Sequence, residues 1–414
     1  MGTDIENLAR KITFTLFTAM SLASAGIILA ATVNPLIGTE LGGSSAWAGI
    51  PSAVFLLGSA FSAMGWGYAM DRIGRRGGLT LGMVSGVIGT AVAGKAVIDQ
   101  SLMLFLLGIA LTGVAQGALQ LSRFAAAEVH PPTTRGRAIS YVVLGGTFGA
   151  VLGPWLVGPL GSIAAQSGYP ELSGAFFGAL ILYALVALIV FTWLRPDPRD
   201  LGREVARRYP EAGPAEGPTR SIGEILRQPA PLVAVTTMVV GQMVMVMLMV
   251  ITAVHMKGHQ HALTSISLVI SSHTFGMFAF SIVSGQLADR WGRLPVILAG
   301  LGTTMLACLL APLSPEVVPL AVSLFFLGLG WNFCFVGGSS LLSDQLAPAE
   351  RARTQGFNDL LIGLASAIGS FSSGLIFAAT GYALTGLIGA VACLIPLGLA
   401  LWWRAGQRRV AVPS

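Results

Sequence analysis

The chain has 414 residues, of which 54% are hydrophobic and only 10% charged, with a mean hydropathy of +0.76 and a formal net charge of +6. No soluble globular domain of this length tolerates that balance on its surface, so the sequence reads as an all-α integral membrane protein. It carries no nucleophile–base pairing, phosphate-binding loop or dinucleotide fingerprint, which argues against an enzyme and calls for no cofactor.

Twelve apolar runs, each about 20 residues or more and long enough to span a bilayer, follow one another along the chain. The first, residues 12–33, is too long for a signal-peptide core and lacks an obvious small-residue cleavage site followed by a soluble domain, so it is expected to stay as helix 1. Helices 2 to 6 are predicted at 46–69, 78–98, 102–126, 138–162 and 173–194. A polar interval, 195–228, then opens with Arg195, Pro196, Asp197, Pro198, Arg199 and Asp200 and runs into a Gly- and Pro-rich stretch, which reads as a linker. Helices 7 to 12 follow at 229–253, 264–288, 294–312, 317–342, 356–379 and 383–403. The expected organisation is therefore an N-terminal bundle (1–194), a cytoplasmic linker (195–228) and a C-terminal bundle (229–414). Arg72, Arg75, Arg76, Arg135, Arg137, Arg290, Arg293, Arg351, Arg353, Arg408 and Arg409 all fall on the side of the N-terminus, with only Lys95 and Lys257 opposite. The positive-inside rule then places both termini in the cytoplasm and explains the basic charge without nucleic acid. Cys308, Cys334 and Cys393 lie in predicted helices at no paired spacing, so neither a disulfide framework nor a zinc site is suggested.

The turn after helix 2 reads GYAMDRIGRR, Gly67 to Arg76, and the turn after helix 8 reads GQLADRWGR, Gly285 to Arg293, with Asp71 and Asp289 separated by 218 residues. Arg135 and Arg137 after helix 4 recur 216 residues later as Arg351 and Arg353. A duplicated six-helix unit accounts for both echoes. On Gly67, Asp71, Arg72, Gly74, Arg75 and Arg76 the chain resembles the major facilitator superfamily, and the resemblance covers nearly its whole length. It implies two pseudo-symmetric six-helix bundles working by alternating access. The motif, repeated with Asp289, Arg290 and Arg293, sets a carboxylate at a helix end beside arginines and is expected to gate the bundles; a loop that merely orients the helices is the alternative. Helix 5 carries Gly149, Gly153, Pro154 and Gly158, similar to the superfamily's antiporter pattern, although small residues at that spacing also serve close packing alone. Helix 4 has Gly113 three residues before Gln116, where drug–proton antiporters carry Arg, which weakens a drug-exporter reading.

Residues 238–277 hold seven of the fourteen methionines and four of the five histidines. Thioether and imidazole are soft ligands that suit copper and not alkali ions. On helix 7, Met245 and Met249 share one face, and Met243 and Met247 the nearly opposite one. Helix 8 adds His273 and Met277, four apart. If the two helices are near neighbours, Met245, Met249, His273 and Met277 can converge on one ion. The paired M-x-x-x-M and H-x-x-x-M motifs resemble those of the CcoA-type bacterial copper importers. That resemblance implies copper as transported substrate, delivered for cuproenzyme assembly such as that of cbb3-type cytochrome c oxidase, across the bacterial inner membrane. The alternatives are structural methionines and a neutral His273 hydrogen-bonded to a neighbouring helix. His255, Met256, His259 and His261, in the loop 254–263, are candidate entrance ligands or an ordinary solvated turn. Asp359 is the best carboxylate for proton coupling. Beyond copper, the expected surroundings are the lipid bilayer, with the protein a monomer. The competing expectation keeps the fold but makes the substrate a small organic molecule, a drug or a riboflavin-like vitamin, against an adaptable apolar cavity. A non-transporting metal sensor is disfavoured because the cytoplasmic loop is too short for an output domain.

Overall fold

The computed structural model describes residues 2–131, 134–209 and 220–410, and every regular element among them is helical. That is what lipid demands, because a span must satisfy its own backbone amides where water cannot. One compact unit is built from α1 (Gly2–Gly42), α2 (Ile50–Ile98), α3 (Leu102–Gln120), α4 (Ser122–Glu128), α5 (Arg135–Leu152), α6 (Val157–Gln166), α7 (Ser173–Trp193) and α8 (Pro198–Arg208). A second contains α9 (Ile222–Leu226), α10 (Pro229–Gly258), α11 (Leu263–Phe278), α12 (Ser281–Trp291), α13 (Arg293–Leu310), α14 (Val317–Asp344) and α15 (Pro348–Val410), together with the short segment 44–49.

Ten helices among the described residues are long and apolar enough to cross a membrane. Two of these reach 54 residues, more than twice what about 30 Å of hydrocarbon requires. Each is broken by a glycine at positive φ: Gly74 (φ 87°, ψ 162°) in α2 and Gly381 (φ 78°, ψ −179°) in α15. Cut at those points, the ten helices supply the twelve spans expected from hydropathy.

Two stretches differ from the sequence reading. The interval 195–228 contains regular structure at both ends: α8 packs on α4, with Leu201 buried in the same core cluster as Ala125 and Ala126, and α9 is closed by a capping box between Ser221 and Glu224. The Gly- and Pro-rich stretch 210–219 lies outside the described residues. Predicted helix 8 is also not continuous, since α11 ends at Phe278 and α12 starts at Ser281.

The second end of that interval is tied down by a buried carboxylate. Glu350, 1% exposed, accepts from Arg220 Nε (2.9 Å), Arg220 Nη2 (2.6 Å), the Arg220 amide (2.8 Å) and the Ala347 amide (3.0 Å). The Arg220 guanidinium holds the Glu350 carboxyl down at about 2, against an ordinary value of 4.5. A carboxyl depressed on folding stabilises the protein at any pH above its unfolded value, and that stabilisation fades as pH falls from 4.5 through 2. Glu350→Gln is therefore expected to lower Tm at neutral pH, with its gap from wild type constant above about pH 5 and closing below it. Thermal melts of both proteins in detergent from pH 7 to 3 check this.

In the first unit, α5 lies against α1. A Cβ on Gly149 would stand 2.7 Å from the Ala25 amide, and one on Gly153 2.7 Å from the Ala25 carbonyl oxygen, so these glycines are needed for close approach. Just beyond, Pro154 opens a 3-10 turn (Pro154–Leu156) that separates α5 from α6.

Candidate solute site

In the second unit α14 is the helix around which the singled-out residues gather. Helices α10 and α11 were expected to be close neighbours; they touch only slightly, and each packs instead on α14, while α10 packs also on α15. The reason lies in small residues: a Cβ on Gly276 of α11 would meet the Phe325 carbonyl of α14, and Gly241 of α10 faces Cys334 of α14.

The question of which methionine pair faces where is answered by neighbours. Met243 Cγ and Met247 Cε lie 3.2 and 3.3 Å from where Cβ atoms on Gly369 and Gly389 of α15 would stand. At about 100° per residue, Gln242, Met245 and Met249 then fall within about 60° of one another on a different side. Gln242 marks that side, because its Oε1 accepts from Trp331 Nε1 of α14 at 2.6 Å. Met245 is buried there, and Met249 half-buried.

His273 is fully buried and its Nδ1–H donates to the Leu324 carbonyl of α14 at 3.0 Å; Nε2 has no described partner. Half-buried Met277 gives its carbonyl to Asn332 Nδ2 of α14 at 2.6 Å. In an unbroken helix that carbonyl would serve the amide four residues on, and its capture by a side chain accounts for the gap between α11 and α12. Asn332 Nδ2 also donates to Ser281 Oγ (2.9 Å), and Ser284 Oγ donates to Asn332 Oδ1. All four proposed metal ligands thus lie on helices packed against α14, and α14 holds His273 and Met277 by hydrogen bonds. Among the described residues no group of three or more His, Cys, Asp or Glu is arranged to hold a metal ion.

Beside the helix break stands an aromatic group that the sequence reading did not single out. Trp331, near the midpoint of α14, is stacked on Phe335 (centroids 5.1 Å, 17°) and meets Phe278 edge-on (6.1 Å, 72°). All three rings and Gln242 are half-buried. An indole with a fixed N–H, flanked by ring faces and an amide, offers stacking plus hydrogen bonding to a flat polar heterocycle. The available signal was an amide and an indole at the centres of two spans, where polar groups are costly and mark function by default.

The proposed entrance ligands do not all lie in a loop. Because α10 extends to Gly258, His255 and Met256 belong to its last turn, and Met256 is fully buried, so it is no exposed ligand. His255 stacks on Tyr382 (4.2 Å, 10°) and stands 4.4 Å from exposed His259, while His261 Nε2–H donates to the Pro315 carbonyl at 2.9 Å. Asp359 is an exposed residue of α15.

The two DRxGR turns have the same backbone: Gly74 at φ 87°, ψ 162° and Gly292 at φ 89°, ψ 163°. In the first, Arg75 pairs with Asp71 (2.6 Å) and Glu128 (2.7 Å); in the second, Arg293 pairs with Asp289 (3.1 Å) and Asp344 (2.8 Å). Gly67 and Gly285 are half-buried one turn before the aspartates, and Arg72 and Arg290 are exposed. The first turn has a further clamp that the second lacks among the described residues: Asp197, at the start of α8, accepts from the amides of Arg75 (3.0 Å) and Arg76 (3.1 Å), and Arg76 Nε donates to the Phe191 carbonyl at 3.0 Å.

The sequence profile of the Major Facilitator Superfamily matches residues 15–262 and 234–413. The chain is 35% identical over 401 residues to the uncharacterized MFS-type transporter YdeG of Bacillus subtilis (strain 168), covering 96% of this chain and 93% of the relative. It is 30% identical over 376 residues to the riboflavin transporter RfnT of Brucella anthropi, covering 90% and 91%. Among solved structures, the nucleoside transporter NupG superposes with a TM-score of 0.72 at 17% identity over 96% of this chain and 98% of that one, a likeness of fold.

Proposed function

The chain belongs to the Major Facilitator Superfamily, and from that premise we propose that it carries a small, flat organic solute across a membrane, with riboflavin the first candidate. The observation that carries this is the Gln242–Trp331 pair at the centre of the second unit, with Phe335 stacked on the indole and Phe278 at its edge. A planar heteroaromatic such as an isoalloxazine presents both the π-face and the edge donors and acceptors that these groups complement. The similarity to a riboflavin transporter over nine-tenths of the chain points the same way. The break between α11 and α12, braced by Asn332, lies next to this cluster, as is usual where transporters build solute sites. We place the protein in a bacterial inner membrane with both termini cytoplasmic, on the distribution of its arginines, and keep Asp359 as the carboxylate proposed for coupling.

Copper import is the second reading. What favours it is the buried Nε2 of His273, which has no described partner, with Met245 and Met249 on the Gln242 stripe. What weighs against it is that α10 and α11 each pack on α14 and barely on each other. Expression in a riboflavin-requiring bacterium separates the two: growth at low external riboflavin is expected to be rescued, with cellular copper unchanged. No rescue, together with copper accumulation lost on His273→Ala or Met277→Ala, would establish the second reading.

A further inference from the structure

We propose that His255 and His259, at the end of α10 remote from α9, form a two-ligand site for a divalent transition metal of the Cu²⁺ or Ni²⁺ type, whatever solute the chain carries. Residues four apart share a helical face, and here the imidazole centroids are 4.4 Å apart at an interplanar angle of 60°. The His259 ring is already oriented as a metal ligand requires: Nδ1–H donates to the His255 carbonyl at 2.9 Å, which leaves the Nε2 lone pair outward. His255 is held by stacking on Tyr382 at 4.2 Å, and the Tyr382 hydroxyl is fixed by Thr252 Oγ1 at 2.8 Å. Neither ring nitrogen of His255 has a described hydrogen bond, so one is available to an ion. Lys257 lies between the two histidines in sequence but about 160–200° round the helix from them, so its charge does not face the ion.

Imidazole nitrogen suits the late divalent first-row ions, and at a given nitrogen site affinity rises through Ni²⁺ to a maximum at Cu²⁺. No third His, Cys, Asp or Glu, His261 included, joins the pair among the described residues, and His261 Nε2–H donates to the Pro315 carbonyl. Water completes the coordination. Bound metal would pin the last turn of α10 beside Tyr382 of α15 and so stabilise that corner of the fold.

Isothermal titration of Ni²⁺ into the full-length, tag-free, chelator-stripped protein in detergent tests this, because Ni²⁺ has little affinity for thioethers and ignores the methionines deeper in the helix. One equivalent is expected to bind and to raise Tm. His259→Gln, at an exposed position that leaves packing intact, should weaken binding about tenfold or more and remove the Tm rise. His255→Gln should do the same, and His261→Gln should change affinity by less than about threefold. Binding that survives His259→Gln unchanged, or the absence of Ni²⁺ binding to wild type, overturns the site. Riboflavin uptake by His259→Gln without metal is expected to match wild type, which keeps this result separate from the identity of the solute.

Discussion

Replacing Trp331 with alanine is expected to weaken riboflavin uptake about thirtyfold at limiting concentration. The estimate rests on about 2 kcal/mol for one lost aromatic stacking platform, at a factor of ten per 1.4 kcal/mol. Trp331→Phe provides the control that separates stacking from hydrogen bonding. It keeps a ring face against Phe335 but leaves Gln242 Oε1 without its 2.6 Å donor, which costs about 1 kcal/mol and predicts roughly a fivefold loss. Initial uptake rates, normalised to protein abundance in the membrane, check both variants. Equal loss in the two would mean that the indole N–H and not the π-face makes the site. No loss in either would remove Trp331 from it.

Gly74→Ala is expected to damage the protein far more than Gly292→Ala, although the two glycines occupy equivalent turns with nearly identical dihedrals. Both sit near φ 88° with ψ close to 160°, a region open essentially to glycine alone, so either alanine costs about 1–3 kcal/mol of backbone strain. At Gly292 no atom of the described residues stands closer to an added Cβ than Pro295 Cδ at 3.9 Å, so backbone strain is the cost that the structure shows there. At Gly74 the Cβ would run into the Asp197 carboxylate, whose Cγ would be 3.0 Å away. Asp197 must then move, and it releases the amides of Arg75 and Arg76 together with its cap on Arg199. Losing those charge-assisted bonds, at about 1.5–3 kcal/mol each, adds to the strain. Gly74→Ala should therefore show a clearly lower Tm and lose transport, while Gly292→Ala keeps measurable activity. Asp197→Ala in the Gly74→Ala background should recover part of the Tm deficit, since it removes the clash; equal deficits at the two glycines would show that Asp197 plays no part.

Much of this was legible in the sequence, because lipid imposes one strong rule. A span must be apolar and helical, so hydropathy alone places twelve spans, and the repeated DRxGR turn places the duplication. What hydropathy could not reveal is which helix each span packs against. Sequence adjacency suggested that α10 and α11 meet, whereas Gly276, Gly328 and Gly241 let both approach α14 instead. The break after Phe278 was hidden for a similar reason: no Pro marks it, and its cause is Asn332, more than fifty residues away, taking the Met277 carbonyl. Asp197 read as one charge in a polar linker, and its role as a clamp on Arg75 and Arg76 depends on α8 folding back against the first unit. The methionine cluster was conspicuous by composition, yet composition does not distinguish the pair facing α15 from the pair beside Gln242. Only the neighbours of Met243 and Met247 do so.

Equilibrium binding of riboflavin to the purified protein, followed by quenching of the vitamin's own fluorescence in chelator-treated buffer, tests the central claim most directly. Saturable quenching by wild type, weakened about thirtyfold by Trp331→Ala, is the predicted result. Absence of saturable quenching, with Cu⁺ binding that is abolished by His273→Ala, would contradict it.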